Sequence, residues 1–158
     1  MKLSTDNNLS SQAVLQLAEA QCRQRGSRLT AKRKVVLQGL LDNPKALSAY
    51  ELVDYFKNTL RVSIPAMSVY RILDFLQQQQ LVHKLSSTNK FIACSHIACD
   101  HRHDMPQFLI CKQCGDVKEI ALGNTLFDHL QDQVQNAGYQ LRSTQLELDC
   151  ICHQCAEA

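Results

Sequence analysis

Two C-x2-C pairs carry the most legible chemistry in this chain. Cys111-Lys112-Gln113-Cys114-Gly115 forms one knuckle, and Cys152-His153-Gln154-Cys155 forms the other. Two intervening residues let both thiolates of a pair face one ion, and Gly115 permits the tight turn that follows. Four cysteines complete a tetrahedral zinc set of the closed, structural kind. A redox C-x-x-C is the rival reading. It needs one exposed pair with a lowered pKa, whereas two pairs flanking one small unit favour a shared ion. Thirty-seven residues separate the pairs, so the ion ties the start of that unit to its tail. Such an ion can supply much of the folding free energy of a small unit.

The elements that position these cysteines divide the chain near residue 94. Residues 1–94 contain 13 Lys+Arg and 6 Asp+Glu, a net of +7; residues 95–158 contain 4 and 9, a net of −5, and the sum is the overall +2. Seven of the eight cysteines fall at or after Cys94. The sequence therefore predicts two domains, 1–94 and 95–158. A basic half invites a polyanion partner, with a solvated basic face as the bland alternative. No apolar run approaches the ~18 residues of a membrane span. The polar stretch Met1 to Ser11 lacks the apolar core of a secretory signal, which points to a soluble, cytoplasmic protein. In that setting eight cysteines point to metal or redox chemistry rather than disulfides.

In the first half, Ser10 or Ser11 can cap a helix carrying Val14, Leu17, Ala18 and Cys22 inward, with Gly26 as its stop. Thr30 caps a second helix with Val36, Leu37, Leu40 and Leu41 inward. Ser48 and Glu51 spell a capping box for a third. Pro65 suits the first turn of a fourth, whose buried face is Val69, Ile72, Leu73 and Leu76. Leu81–Leu85 and Phe91–Cys94 read as a hairpin around Ser86-Ser87-Thr88-Asn89. Helices followed by a hairpin match a winged helix-turn-helix. After a polar loop over residues 95–106, strands at Phe108–Cys111 and Val117–Ile120, a helix from Thr125 to Ala137, and a strand from Leu141 to Leu148 describe a small α/β unit. The fold class is thus α+β: an N-terminal winged helix-turn-helix, then a small α/β dimerisation domain holding the four-cysteine zinc. That second unit is too small to bury much surface alone, so a metal or a second copy is expected.

Several motifs together resemble the ferric uptake regulator superfamily over nearly the whole chain, and in detail its zinc branch. They are Leu29-Thr30 with Arg33, Ser48-Ala49-Tyr50, Ser68-Val69-Tyr70-Arg71 with Asp74-Phe75-Leu76, Val82-His83-Lys84, Ser87-Thr88-Asn89, Cys94, and the two knuckles. The resemblance implies a homodimeric repressor with zinc as co-repressor and zinc-acquisition genes as targets. It also implies a sensing site whose ligands fall on His83, Cys94, His103 and Glu119, and hence at least two zinc ions per chain. The set is chemically coherent: two imidazoles, a thiolate and a carboxylate give four ligands and a formally neutral site. The thiolate favours zinc over iron(II) or manganese. The loop His96-Ile97-Ala98-Cys99-Asp100-His101-Arg102-His103 stands about one residue out of register with the family pattern. His103 is the best positional match, His101 is the alternative, and His96 and Cys99 stay open. Singly, His83 reads as a strand histidine, Cys94 as a buried thiol and Glu119 as a surface carboxylate. Cys150 is unassigned, with a structural role favoured.

For double-stranded operator DNA, a recognition helix enters the major groove with its N-terminal turns. The fourth helix offers Ala66, Ser68, Tyr70 and Arg71, and Arg71 can bond guanine O6 and N7 together. The family resemblance adds Tyr50. Arg28, Lys32, Arg33 and Lys34 are phosphate-contact candidates, with Lys84 and Lys90 on the wing; Tyr70 reads equally as core. The alternatives are a sensor of iron, manganese or peroxide in the same superfamily, a zinc hydrolase, and a bare zinc-ribbon interaction module. No H-E-x-x-H or deaminase-like signature is present, so no enzyme and no small-molecule substrate are expected.

Overall fold

The computed structural model describes residues 9–98, 106–143 and 145–158. The chain forms two compact units, residues 1–100 and residues 101–158. The division comes later than residue 94 because the segment after Cys94 packs into the first unit. Ile97 is buried in that unit's core, and its carbonyl accepts a hydrogen bond from Gln21 Nε2 at 2.7 Å.

The first unit opens with α1 (Ser11–Gln24), capped by Ser10, whose hydroxyl accepts from the Ala13 amide. Ala18 and Cys22 are buried, while Leu17, expected inward, stays largely exposed. α2 (Ala31–Leu41) follows Thr30, which sits at the cap position without a side-chain cap bond. α3 (Ala49–Tyr55) begins at the predicted capping box. Ser48 Oγ accepts from the Glu51 amide at 3.2 Å, and Glu51 Oε2 accepts from the Ser48 amide at 2.6 Å. That amide, and then the Lys90 ammonium, hold the Glu51 carboxyl below its usual range. α4 (Ala66–Gln78) starts after Pro65, with Val69, Ile72, Leu73 and Leu76 buried as periodicity required.

The sequence did not reveal how α3 ends. Phe56–Leu60 continue it as one π-helical turn, and Arg61 closes it in the left-handed region at φ 56°. The wide turn keeps Phe56 wholly buried against α2. A Cβ added at Gly39 there would meet Phe56 Cε1 at 2.7 Å. Gly39→Ala is therefore expected to lower stability by about 1 kcal/mol. Overpacking costs roughly 1–3 kcal/mol, and the better helix propensity of alanine returns about 1. Chemical denaturation of the full chain checks this, and an unchanged midpoint would mean that the ring moves aside freely.

The wing is β1 (Val82–Leu85) and β2 (Lys90–Ala93), antiparallel with His83 opposite Ile92. Leu47 and Phe91 exchange both backbone hydrogen bonds, at 3.0 and 2.8 Å, and Lys90 Nζ lies 2.9 Å from Glu51 Oε1. These contacts fasten the wing to the start of α3.

The second unit is a three-stranded sheet with β3 (Pro106–Cys111) central. β4 (Val117–Ala121) is antiparallel to it and β5 (Leu146–Cys150) parallel. α5 (Asn124–Asn136) joins β4 to β5, and a single turn, α6 (His153–Ala156), ends the chain. β5 begins later than Leu141; among the described residues, 141–143 and 145 have no regular structure. The wholly buried Gln107 explains the start point. Its side-chain oxygen accepts from the Leu146 amide and sets the β3–β5 register.

Candidate metal centre and nucleic-acid interface

The sheet brings the two knuckles together. Parallel pairing places Cys111, the last residue of β3, opposite Cys150, the last of β5. The chain then turns, and Cys152 and Cys155 flank the first turn of α6, where the Cys155 amide donates to the Cys152 carbonyl at 3.0 Å. The first knuckle is closed by Gly115, at φ 76°, whose amide donates to the Cys111 carbonyl at 2.9 Å. Only a glycine adopts that conformation without strain.

The four sulfurs of Cys111, Cys114, Cys152 and Cys155 all lie within 4.8 Å of one another. Cys114 Sγ and Cys152 Sγ are 3.7 Å apart. A tetrahedron with metal–sulfur bonds of about 2.3 Å has an edge of about 3.8 Å, so the spacing suits one zinc ion. The electrostatics agree. The Cys111 thiol is pulled down to about 6, first by the Cys114 amide and then by the Cys152 amide, which donates to its sulfur at 3.3 Å. The Asp116 amide favours the Cys114 thiolate, but the sulfur of Cys111, burial and Cys152 outweigh it and leave that thiol raised. Cys155 is pushed up to about 12 by the neighbouring sulfurs, Cys152 first. Four sulfurs this close cannot all ionise unless a cation joins them, which is the signature of a metal cradle.

In the first unit, His83 lies on β1 and Cys94 directly follows β2, where its amide donates to the Leu81 carbonyl at 2.9 Å. Their ligand atoms are within 4.8 Å of each other. The buried Cys94 sulfur also accepts from the His96 amide at 3.4 Å. Glu119 is a half-buried residue of β4 in the second unit. His103, with its alternatives His101 and Cys99, lies outside the described residues. The remaining alternative, His96, is half-buried, and its ring Nδ1 is 3.2 Å from Ser95 Oγ.

The nucleic-acid candidates gather around the N-terminal turns of α3 and α4. Tyr50 is 65% exposed, and the half-buried Tyr70 braces it edge-on, with ring centroids 6.2 Å apart. Tyr70 thus serves the core and the exposed face together. Arg71 is exposed and Ser68 half-buried. Arg28 and Lys32 are exposed at the entry to α2. Arg33 is already engaged within the unit: its guanidinium stacks on Phe75 of α4, 3.5 Å from the ring centroid, and donates to the Arg28 carbonyl. It thereby links α4 to α2. Sequence reasoning missed Met67, which is 66% exposed. Counting 100° per residue from the buried stripe would have found it, because Met67 and Arg71 are one turn apart, opposite that stripe.

Residues 24–149 match the ferric uptake regulator family. The chain is 36% identical over 146 residues to the zinc uptake regulation protein of Escherichia coli (strain K12), covering 92% of this chain and 83% of that one. Among solved structures it is similar to a zinc uptake regulator complexed with zinc and DNA, with a TM-score of 0.81, 34% identity, and coverage of 94% and 97% of the two chains. It is also similar to holo XcZur, with a TM-score of 0.76, 34% identity, and coverage of 92% and 99%. A winged helix with a four-cysteine metal cradle defines a metalloregulatory class, and the chain belongs to the ferric uptake regulator family.

Proposed function

We propose that the protein is a zinc-responsive transcriptional repressor, which binds operator DNA as a zinc-loaded homodimer and represses zinc-uptake genes. The observation that carries this reading is the pairing, in one chain, of a basic winged helix with an all-thiolate cradle of tetrahedral size. The likeness to a zinc uptake regulator solved with zinc and DNA supports it. The four-cysteine site is structural. When bound, zinc there supplies a crosslink between β3 and the chain end. A closed set of four protein ligands leaves no position for an activated water, so the family's regulatory role, and not hydrolysis, fits the site.

A second, regulatory zinc is assigned to His83, Cys94, His103 and Glu119, giving at least two ions per chain. The proximity of His83 to Cys94 supports the first half of this set. The thiolate argues for zinc over the iron, manganese or peroxide alternatives. A homodimer accounts for the apolar surface that the second unit leaves open. Leu109, Ile120 and Ile151 line one side of a cavity of about 540 Å³ that Asp116, Lys118 and His153 also border, and Leu148 and Ile151 are 43% and 57% exposed. Among the described residues no helix is long and apolar enough to cross a membrane, and we take the protein to act on DNA in the cytoplasm.

DNA contact is assigned to Arg71 and Ser68 on α4, to Tyr50 and Tyr70 beside it, and to Arg28, Lys32 and Arg33 on the phosphates. Arg71→Ala is expected to cost about 1–3 kcal/mol on the operator and far less on random DNA, as for direct base readout. Lys32→Ala should weaken both DNAs alike and flatten the salt dependence. Titration of both variants on both DNAs at several salt concentrations checks this. An equal loss on both DNAs for Arg71→Ala moves that residue to the phosphate class. The same titration against buffered free zinc and iron tests the reading as a whole, and binding indifferent to zinc would overturn it.

A further inference from the structure

We propose that Met67 reads a thymine methyl group in the major groove, next to the base read by Arg71. This inference rests on the DNA-binding reading above and adds a specificity determinant to it. Three observations carry it. Met67 is the second residue of α4, in the N-terminal turn that a recognition helix presents to base edges. It lies one helical turn before Arg71, and both stand opposite the buried stripe of Val69, Ile72, Leu73 and Leu76. It is 66% exposed, more than any other large apolar side chain of residues 9–98.

An unbranched thioether at such a position leaves most of its apolar surface in water. Its chemistry selects what should cover it. The major groove offers donors, acceptors and a single apolar group, the C5-methyl of thymine. Methionine cannot donate a hydrogen bond and accepts only weakly, so it gains nothing from guanine, adenine or cytosine edges. It is flexible enough to lie against a methyl without demanding an exact fit. The charge around it favours the same occupant: residues 1–94 have a net charge of +7, and Arg71 shares the face. The polyanionic duplex is thus the partner that this surface attracts, and the methyl is the part of it that Met67 can recognise.

The test uses the full-length, zinc-loaded protein and an operator duplex that it has selected from a random library. Each thymine is replaced singly by deoxyuridine, which removes the methyl and nothing else. Wild type should lose about fourfold in affinity at one thymine per half-site, the worth of one buried methyl. Met67→Ala should bind the thymine operator more weakly by a similar factor and no longer distinguish thymine from deoxyuridine there. Met67→Leu should keep the distinction. Arg71→Ala should bind more weakly overall yet retain it. Unchanged affinity of Met67→Ala for random DNA shows that its fold is intact. If Met67→Ala keeps the full thymine preference, or if wild type binds the operator but is indifferent at every thymine, the assignment of Met67 is overturned and DNA binding stands. If the wild type selects no duplex at all, the DNA-binding reading falls, and this inference with it.

Discussion

Cys152→Ser and Cys111→Ser are each expected to purify without the structural zinc, without a folded C-terminal unit and without the dimer. The unit has few wholly buried apolar side chains among its described residues: Phe108, Ile110, Cys111, Val117 and Phe127 are the buried hydrophobics. So small a core supplies at most a few kcal/mol net, whereas structural zinc contributes roughly 10–16 kcal/mol to folding in small zinc domains. Loss of one thiolate opens the set of four and unties the chain end from β3. Native mass spectrometry for zinc content and light scattering for oligomeric state check the result; a folded dimer with full zinc content in either variant would refute the site. The pH dependence has a defined sign. Cys111 is lowered from 9.0 to about 6 in the fold, so its sulfur is a thiolate ready for metal at neutral pH and is protonated as pH falls through about 6. Cys114 and Cys155, both raised, hold their protons at neutral pH until metal displaces them. Zinc loading at pH 7 should therefore release protons, measurable in weakly buffered solution, and zinc retention should weaken as the medium is acidified.

Cys94→Ser is expected to give the opposite pattern: structural zinc and dimer intact, operator binding abolished or shifted to much higher free zinc. A hydroxyl is a far poorer zinc ligand than a thiolate, and its loss leaves two imidazoles and one carboxylate. Two ligands of the proposed set, His83 and Cys94, belong to residues 1–100, and two, His103 and Glu119, to residues 101–158. One ion held by all four would restrict one unit against the other. In a dimer that restriction sets the spacing of two recognition helices, and DNA half-sites have a fixed spacing. Metal shifts such an equilibrium only through its preference for one arrangement, so weakening its hold moves the zinc midpoint of DNA binding and leaves the fold alone. Operator affinity of both proteins across a zinc-buffer series decides the matter: identical midpoints would show that this site is not the switch. The two cysteine experiments separate the two proposed zinc sites, because one variant is expected to lose the unit and the other only the response.

What the sequence by itself determined is what depends on local pattern. The knuckle spacing pointed to zinc and to each pair of thiolates, because two residues between cysteines is a constraint of the backbone alone; that the two pairs lie at one centre needed the pairing of β3 with β5. The capping box at Ser48 and Glu51, the buried stripe of α4 and the hairpin of the wing were legible for the same reason: each is decided within a few residues of chain. Charge placed the polyanion partner in the first half without any coordinates. Tertiary structure decided everything that needed two distant segments at once. Leu17 is 39% exposed, although the period of α1 turns it inward. The π turn at Phe56–Leu60 comes with the close approach of the Phe56 ring to Gly39 of α2, 17 residues earlier. Arg33 is a phosphate candidate by sequence, and only the fold shows that its guanidinium also stacks on Phe75. β5 starts at Leu146 because the buried amide of Gln107 captures that backbone N–H, a partner 39 residues away that no local pattern announces. Met67 stands between the two groups: the period of α4 already puts it beside Arg71 and opposite the buried stripe, and the packing leaves it 66% exposed.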